Sequence, residues 1–144
     1  MLEFRDMKIE EADLVVKIEE ECFYAPWKKQ DFIDMTEKDN MAYVVALLDN
    51  EIIGGAGIRN IAGDGEITNV VITEKHRGNG YSELLLDALI EKGRSLGCSA
   101  FTLEVRVSNV AARKCYLRKG FIESGIRPGF YEHPKEDAMI MWLY

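Results

Sequence analysis

The sequence predicts an α+β domain with a mixed, mostly antiparallel sheet. Strand-like segments are interspersed along the chain with segments whose apolar residues have helical spacing. The strand-like segments are either continuously apolar or alternate between apolar and polar residues. At least one pair of strand-like segments is joined by a turn too short for a crossover, which requires antiparallel pairing. The chain has 144 residues, a length that suits one domain covering residues 1–144. We expect about seven strands and about four helices.

The first half of the chain is predicted to contain four strands and two helices. Residues 10–23 are helical, because Leu14, Val15, Ile18 and Cys22 recur on one face. Pro26 precedes a second short helix over residues 28–36. The strands are expected at residues 2–5, 42–48, 52–59 and 66–73, with a hairpin turn at 49–51. Three glycines in the third of these strands, Gly54, Gly55 and Gly57, indicate a bulge or the close approach of another group.

The second half is predicted to contain two further helices and three strands. Residues 81–96 form a helix whose apolar stripe comprises Leu84, Leu85, Ala88 and Leu89, and Gly97 ends it. Residues 100–107 alternate between apolar and polar side chains, which indicates a half-buried strand. A helix capped by Ser108 or Asn109 runs to about residue 119, where Gly120 stops it. The last strands are expected at residues 121–126 and 138–143.

Composition excludes several classes of function. The formal net charge of −7 argues against general binding of nucleic acid, which requires a basic surface. No apolar run approaches the roughly 18 residues of a membrane-spanning helix, so a cytoplasmic location without membrane partners is expected. The three cysteines are interpreted as buried apolar residues, and neither His76 nor His133 has partners at metal-ligand spacing, so no metal is expected.

The loop at residues 77–82 carries the strongest indication of function. Its residues are Arg77, Gly78, Asn79, Gly80, Tyr81 and Ser82, and it opens directly into a helix. Small residues let backbone N–H groups approach an anion, and the helix N-terminus adds a favourable dipole. Basic residues at 75–77 add positive charge within an acidic protein. A pyrophosphate is the expected ligand, although a plain strand–turn–helix connection would use similar residues.

The segment Arg77-x-x-Gly80-x-Ser82 resembles the signature of the GNAT superfamily of N-acetyltransferases. Ser82 stands where Gly or Ala is usual, and it too is small. The resemblance continues along nearly the whole chain and is strongest to the RimI-type enzymes, which acetylate the N-terminal alanine of a ribosomal protein. It is carried by Pro26-Trp27, by residues 69–72, by residues 103–109 with Ala112, Tyr116 and Gly120-Phe121, and by residues 126–131 with 136–138.

This resemblance implies the GNAT fold, with acetyl-CoA bound between two splayed parallel strands, and a direct transfer without a covalent intermediate. It assigns the general base to Glu104 and the general acid to Tyr116. From pattern alone, Glu104 would be a solvated strand carboxylate and Tyr116 an ordinary helix aromatic. The chemistry requires both roles, because only a neutral amine attacks and the departing thiolate takes up a proton.

The resemblance also implies residues that bind the pantetheine arm. These are Val70, Val71 and Ile72, through backbone groups freed by a bulge, and Asn109, which could equally be a helix cap. Trp27 and Tyr131 would line a peptide groove with the acids at 136–137, or else serve as core aromatics beside solvated acids.

The expected activity is acetylation of a protein N-terminal α-amine, with an alanine-initiated ribosomal protein as acceptor. One alternative is a GNAT enzyme that acts on a small-molecule amine or a lysine. Another is a non-catalytic module that binds acetyl-CoA, which would not need both Glu104 and Tyr116. The sequence leaves the oligomeric state open.

Overall fold

The computed structural model describes residues 1–23 and 27–144, so Pro26 of the predicted motif lies outside the described residues. The described residues form four α-helices and seven β-strands. In chain order these are β1 (Leu2–Asp6), α1 (Ala12–Cys22), α2 (Lys29–Glu37), β2 (Met41–Leu48), β3 (Glu51–Ile61), β4 (Asp64–Ile72), α3 (Tyr81–Ser95), β5 (Ala100–Arg106), α4 (Val110–Arg118), β6 (Ile122–Glu132) and β7 (Lys135–Leu143). Short 3-10 helices cover Ile9–Glu11 and Glu74–His76.

All seven strands belong to one sheet in the order β1-β2-β3-β4-β5-β7-β6. Neighbouring strands are antiparallel except β4 and β5, which are parallel. The predicted fold class, a mixed and mostly antiparallel sheet of seven strands with four helices, is therefore confirmed. The connection from β4 to β5 contains α3, as a parallel crossover requires.

The parallel pair separates soon after it forms. Three residue pairs join β4 to β5, and the last of them is Glu66 with Thr102. β4 nevertheless continues to Ile72 along β3, and β5 continues to Arg106 along β7. The two strands therefore leave a gap between them over the rest of their length, which is the splayed arrangement that the resemblance implied.

The sheet is buried on both faces at its centre. Side chains of β2 alternate between two apolar clusters, with Val44 in one and Val45 in the other. The first cluster packs against α3 through residues such as Leu85 and Leu89. The second packs against α1 and α2 through residues such as Phe32. This explains why residues 42–48 read as one continuous apolar run, since both faces of that strand are covered.

Some predicted details differ from the structure. Leu14 and Leu84 were placed on the apolar faces of their helices, but they are 50% and 47% exposed. The buried face of α1 contains the predicted Val15 and Ile18 together with Ala12 and Glu19. The buried face of α3 contains the predicted Leu85 and Leu89 together with Leu86 and Ile90. β4 also begins at Asp64, within the predicted loop 62–65.

The last two strands are longer than the sequence analysis expected. β6 continues past residue 126 to Glu132, and β7 begins at Lys135 instead of residue 138. The extension was missed because residues 127–135 include two prolines and a glycine, which ordinarily mark a loop. Strand pairing of Tyr131 with Glu136 and of Glu132 with Lys135 continues the hairpin to its tip.

Replacing Gly54 by alanine is expected to destabilise the fold. A Cβ atom on Gly54 would overlap the carbonyl oxygen of Val71 on the neighbouring strand, and backbone cannot move aside as a flexible side chain can. We expect the free energy of unfolding to fall by about 1–3 kcal/mol, as in overpacked sites. Urea unfolding measures this change. Gly125→Ala is the matched control, because a Cβ there meets no atom within 4 Å; an equal loss in both variants would contradict the explanation.

Candidate active site

The gap between β4 and β5 exposes backbone groups of β4. The amide of Thr73 donates to the carbonyl of Ile53 on β3, at 2.8 Å. Since backbone groups of alternate residues point to the same side of a strand, Val71 also faces β3, whereas Val70 and Ile72 face the gap. Val70 and the N–H group of Ile72 therefore present backbone groups of the kind predicted to bind pantetheine and the acetyl carbonyl, whereas the carbonyl of Ile72 accepts from Arg77. The groups of Val71 belong to the β3–β4 ladder instead.

The loop after β4 is built to approach an anion. Gly78 and Gly80 have φ angles of 82° and 77°, in the left-handed region that favours glycine. Gly80 precedes α3, and no side chain among the described residues caps the N-terminus of this helix. The N–H groups of the first turn, which include those of Tyr81 and Ser82, thus lack acceptors within the helix. A pyrophosphate could accept hydrogen bonds from them.

The side chain of Arg77 turns away from that helix and fastens the loop to the end of β4. Its Nε donates to the carbonyl of Ile72 at 2.9 Å, and one terminal nitrogen lies 3.1 Å from the sulfur of Cys22. Asn79 donates to the carbonyl of His76 at 3.1 Å. The side chains of Arg77 and Asn79 thus shape the loop. The predicted anion site consists of the glycines and the N–H groups of the helix.

Glu104 lies on the polar face of β5, beside the gap. Its side chain is 28% exposed, and Arg127 of β6 approaches its carboxylate at 3.7 Å. The adjacent Leu103 and Val105 point to the opposite face, into the cluster that packs on α3. Glu104 therefore faces the side of the sheet that carries α1 and α2.

Tyr116 approaches from the other face of the sheet. It lies on α4, packs against the α3 cluster and contacts the ring of Phe121, with 5.8 Å between centroids. Burial raises the pKa of this phenol well above its ordinary value, with smaller contributions from Cys115 and Tyr131. A phenol held in its protonated form is suited to donate a proton to a thiolate.

Tyr131 interacts electrostatically with a candidate catalytic residue on each face of the sheet. Its pKa is raised by burial and also by the charge of Glu104, while Tyr131 in turn contributes to the raised pKa of Tyr116. These three side chains therefore lie within short electrostatic range. The guanidinium of Arg106 stacks on the Tyr131 ring at 4.3 Å, which holds the ring in place. Of the predicted substrate residues, Tyr131 thus lies beside the catalytic candidates.

Two other predicted site residues have structural contacts. Asn109 caps α4, because its Oδ1 accepts from the amide of Ala112 at 3.2 Å. The cap occupies the side-chain oxygen of Asn109, and the side-chain nitrogen of this exposed residue takes no part in it. Trp27 packs on Phe32, with ring centroids 5.5 Å apart, and borders the cluster beneath α1 and α2. Their roles in binding remain predictions.

The expectation that all three cysteines are buried holds for Cys98 and Cys115, whereas Cys22 is half-buried and contacts Arg77. Burial raises the pKa of all three thiols. Within residues 1–23 and 27–144, no group of three or more His, Cys, Asp and Glu side chains is placed to hold a metal ion. The helices over the same residues are all too short or too polar to cross a membrane.

A polar clamp joins β5 to the β6–β7 hairpin, and it was not predicted from the sequence. Arg106 donates to the carbonyl of Pro134 at 2.8 Å and to the carboxylate of Glu136 at 3.2 Å. The other oxygen of Glu136 accepts from the amide of Ser108 at 2.6 Å. This clamp fixes the hairpin that carries Tyr131. The interpretation of Glu136 as a solvated acid is therefore wrong, and the long sequence separation concealed the contact.

These features together define a class of enzyme: an acyltransferase that draws its acyl group from a coenzyme A thioester. The sequence matches the acetyltransferase (GNAT) family over residues 12–121. The chain belongs to this family and is an acetyl-CoA-dependent N-acetyltransferase.

Individual relatives agree with the assignment. A Bacillus subtilis protein assigned, as a candidate, to alanine N-acetylation of ribosomal protein bS18 is 35% identical over 96% of this chain and 93% of its own. The fold resembles that of the Escherichia coli ribosomal-protein-alanine N-acetyltransferase, with a TM-score of 0.88, 24% identity, and coverage of 99% and 93% of the two chains. It also resembles Arabidopsis thaliana NAA60 solved with acetyl-CoA, with a TM-score of 0.86, 16% identity, and coverage of 99% and 98%.

Replacing Gly80 by alanine is expected to weaken binding of acetyl-CoA. The left-handed backbone at this position costs a residue with a Cβ roughly 1–2 kcal/mol, which corresponds to about 5- to 30-fold if the loop leaves its binding shape. Isothermal titration calorimetry with acetyl-CoA measures the change. Because a Cβ at Gly80 meets no atom within 4 Å, the backbone conformation is the source of strain, and the free energy of unfolding should fall by no more than the same cost of about 1–2 kcal/mol. An unchanged dissociation constant in Gly80→Ala would show that the loop does not hold the ligand.

Proposed function

We propose that this enzyme acetylates the N-terminal α-amine of a protein and that its acceptor is an alanine-initiated ribosomal protein. The observation that carries the proposal is the gap between β4 and β5, with a carboxylate on one face and a protonated phenol on the other. The choice of acceptor is supported by the relatives named for alanine N-acetylation of a ribosomal protein.

The proposed reaction assigns one step to each of these groups. The acceptor amine enters on the α1–α2 face and gives a proton to Glu104, directly or through water, because an α-ammonium with a pKa of about 8 cannot attack. The neutral amine attacks the thioester carbonyl, and the developing charge on its oxygen is stabilised by backbone N–H groups of β4 at the gap. The carbon–sulfur bond breaks, and the departing thiolate takes the proton of Tyr116.

This arrangement separates the two proton transfers in space. Glu104 and Tyr116 lie on opposite faces of the sheet, so the acceptor and the coenzyme approach from opposite sides and meet at the gap. Tyr131 lies close to both residues, and the Arg106–Glu136 clamp fixes its hairpin. We infer that Tyr131 borders the acceptor channel, where its ring would contact the first residue of a peptide.

The decisive test offers the enzyme acetyl-CoA with a hexapeptide that copies an alanine-initiated ribosomal-protein N-terminus. We expect release of coenzyme A and, by mass spectrometry, acetylation of the α-amine alone. Tyr116→Phe should lower kcat by about 100-fold, as expected for a lost general acid. Tyr144→Phe is the matched control, since that tyrosine is 79% exposed. Transfer only to a lysine or a polyamine would refute the N-terminal acceptor, and binding of acetyl-CoA without any turnover would favour a non-catalytic module.

The dependence of the rate on pH provides an independent check. Because burial raises the pKa of Tyr116, its protonated form persists to higher pH than that of a free tyrosine, which titrates at about 10. We therefore expect kcat to rise as the amine loses its proton and then to stay level up to about pH 10. A fall in kcat between about pH 8 and 9.5 that disappears in Tyr116→Phe would contradict the raised pKa of Tyr116, although it would still identify Tyr116 as the acid.

A further inference from the structure

Glu19 is a buried charge that the catalytic scheme does not use. It lies on α1, is 1% exposed, and is the one fully buried charged side chain among the described residues. Its carboxylate accepts from the side-chain nitrogen of Asn69 at 2.8 and 2.9 Å and from the hydroxyl of Tyr43 at 3.1 Å. Tyr43 is itself 2% exposed. The network therefore crosses the apolar cluster from α1 to β2 and β4.

Stability alone does not account for this carboxylate. Its hydrogen-bond partners are neutral, so no opposite charge offsets the desolvation, and burial raises the pKa of Glu19 despite both hydrogen bonds. Replacing buried ionised groups by apolar ones is often neutral or stabilising, whereas such groups can fix a particular geometry. The geometry that Glu19 fixes is that of its partner Asn69.

Asn69 lies next to an irregularity in β4. Along the β3–β4 ladder Gly57 pairs with Asn69 and Ile58 pairs with Ile67, which leaves Thr68 as an extra residue in β4. This is a β-bulge, which bends a strand and increases its twist. The hydroxyl of Thr68 donates to the side-chain oxygen of Asn69 at 2.6 Å. The Asn69 amide thus joins the bulge on one side to Glu19 on the other.

Gly57 on the neighbouring strand β3 leaves space for the contact between Thr68 and Asn69. A Cβ on Gly57 would lie 2.5 Å from the Thr68 hydroxyl and 2.7 Å from the Asn69 oxygen. Only glycine therefore leaves room for the two side chains to fold over β3. The bulge falls between the last residue paired with β5, Glu66, and the residues that face the gap, Val70 and Ile72.

We propose that Glu19 is a positioning residue, which acts through Asn69 to hold the bulge at Thr68 and thereby the backbone of β4 that faces the acetyl group. The proposal rests on acetyl-CoA-dependent activity and not on the identity of the acceptor. A displacement of β4 at the bulge moves the N–H groups of the gap, so the network controls binding of the acetyl-pantetheine end of the coenzyme.

The test exchanges the acidic residue at position 19 and the amide residue at position 69. Asn69→Asp places a second carboxylate against Glu19, and like charges at this distance repel. The double variant Glu19→Gln with Asn69→Asp restores one amide and one carboxylate: the Gln nitrogen donates to the new Asp, and its oxygen still accepts from Tyr43. We expect Asn69→Asp to weaken acetyl-CoA binding about tenfold, and the double variant to return to within about threefold of the parent protein, in line with a buried hydrogen bond to a charged group.

Calorimetry with acetyl-CoA alone is the readout, because it does not depend on any acceptor. Failure of the proposed acceptor would leave this result unaffected. Glu20→Gln is the matched control and should leave the affinity unchanged, since Glu20 is the exposed neighbour of Glu19 on α1. Wild-type affinity in Asn69→Asp, or a folded double variant that binds as weakly as Asn69→Asp, would overturn the proposal.

A second variant, Thr68→Val, tests the proposal if Asn69→Asp does not fold. Thr68→Val keeps the branched shape of the side chain and removes the hydroxyl that orients Asn69. We expect it to bind acetyl-CoA about threefold more weakly, as befits the loss of one neutral hydrogen bond, with an unchanged far-ultraviolet circular dichroism spectrum. Wild-type affinity in this folded variant would overturn the proposal.

Discussion

The separation of β4 from β5 is the constraint on which the rest of this structure depends. Parallel pairing stops at Glu66 and Thr102, although both strands continue along their other neighbours. Unpaired backbone groups in the middle of a sheet are costly unless something else satisfies them. A ligand that runs through the gap can do so, and the thioester arm of acetyl-CoA offers both the length and the polar groups. The gap is thus the proposed binding site, because the sheet is incomplete there.

The apolar packing keeps this gap open without loss of the fold. The cluster on the α3 face contains residues of β4, β5 and β7, so it joins the two halves of the sheet despite the missing β4–β5 pairs. The cluster on the α1–α2 face covers the half of the sheet that ends at β4. The same division places the two chemical groups. Tyr116 belongs to the face where burial keeps a phenol protonated, and Glu104 belongs to the half-exposed face where a carboxylate can exchange protons.

Polar contacts of long sequence separation then set the geometry around the gap. Arg106 and Glu136 fix the hairpin that carries Tyr131, and Arg77 fastens the anion loop to the carbonyl of Ile72. Glu19 reaches Asn69 across 50 positions of the chain. None of these three contacts crosses the gap: the first lies on its β5 side, and the other two hold its β4 side, where a small displacement would change the distances between reacting atoms.

The sequence by itself determined the class of fold and the order of its elements, and it predicted the anion loop. Those features depend on local patterns: apolar periodicity, glycines at turns, and small residues before a helix. It also marked Glu104 and Tyr116, through resemblance to a family and not through any property of the isolated residues. Only the tertiary structure decided that Leu14 and Leu84 face solvent, that residues 127–135 continue a hairpin, and that Val71 faces away from the gap. It alone showed the burial of Glu19, which stands first in a run of three glutamates and resembles a solvated surface acid. The reason is physical: a pattern fixes which face of an element is apolar, whereas contacts between distant elements depend on how those faces pack together.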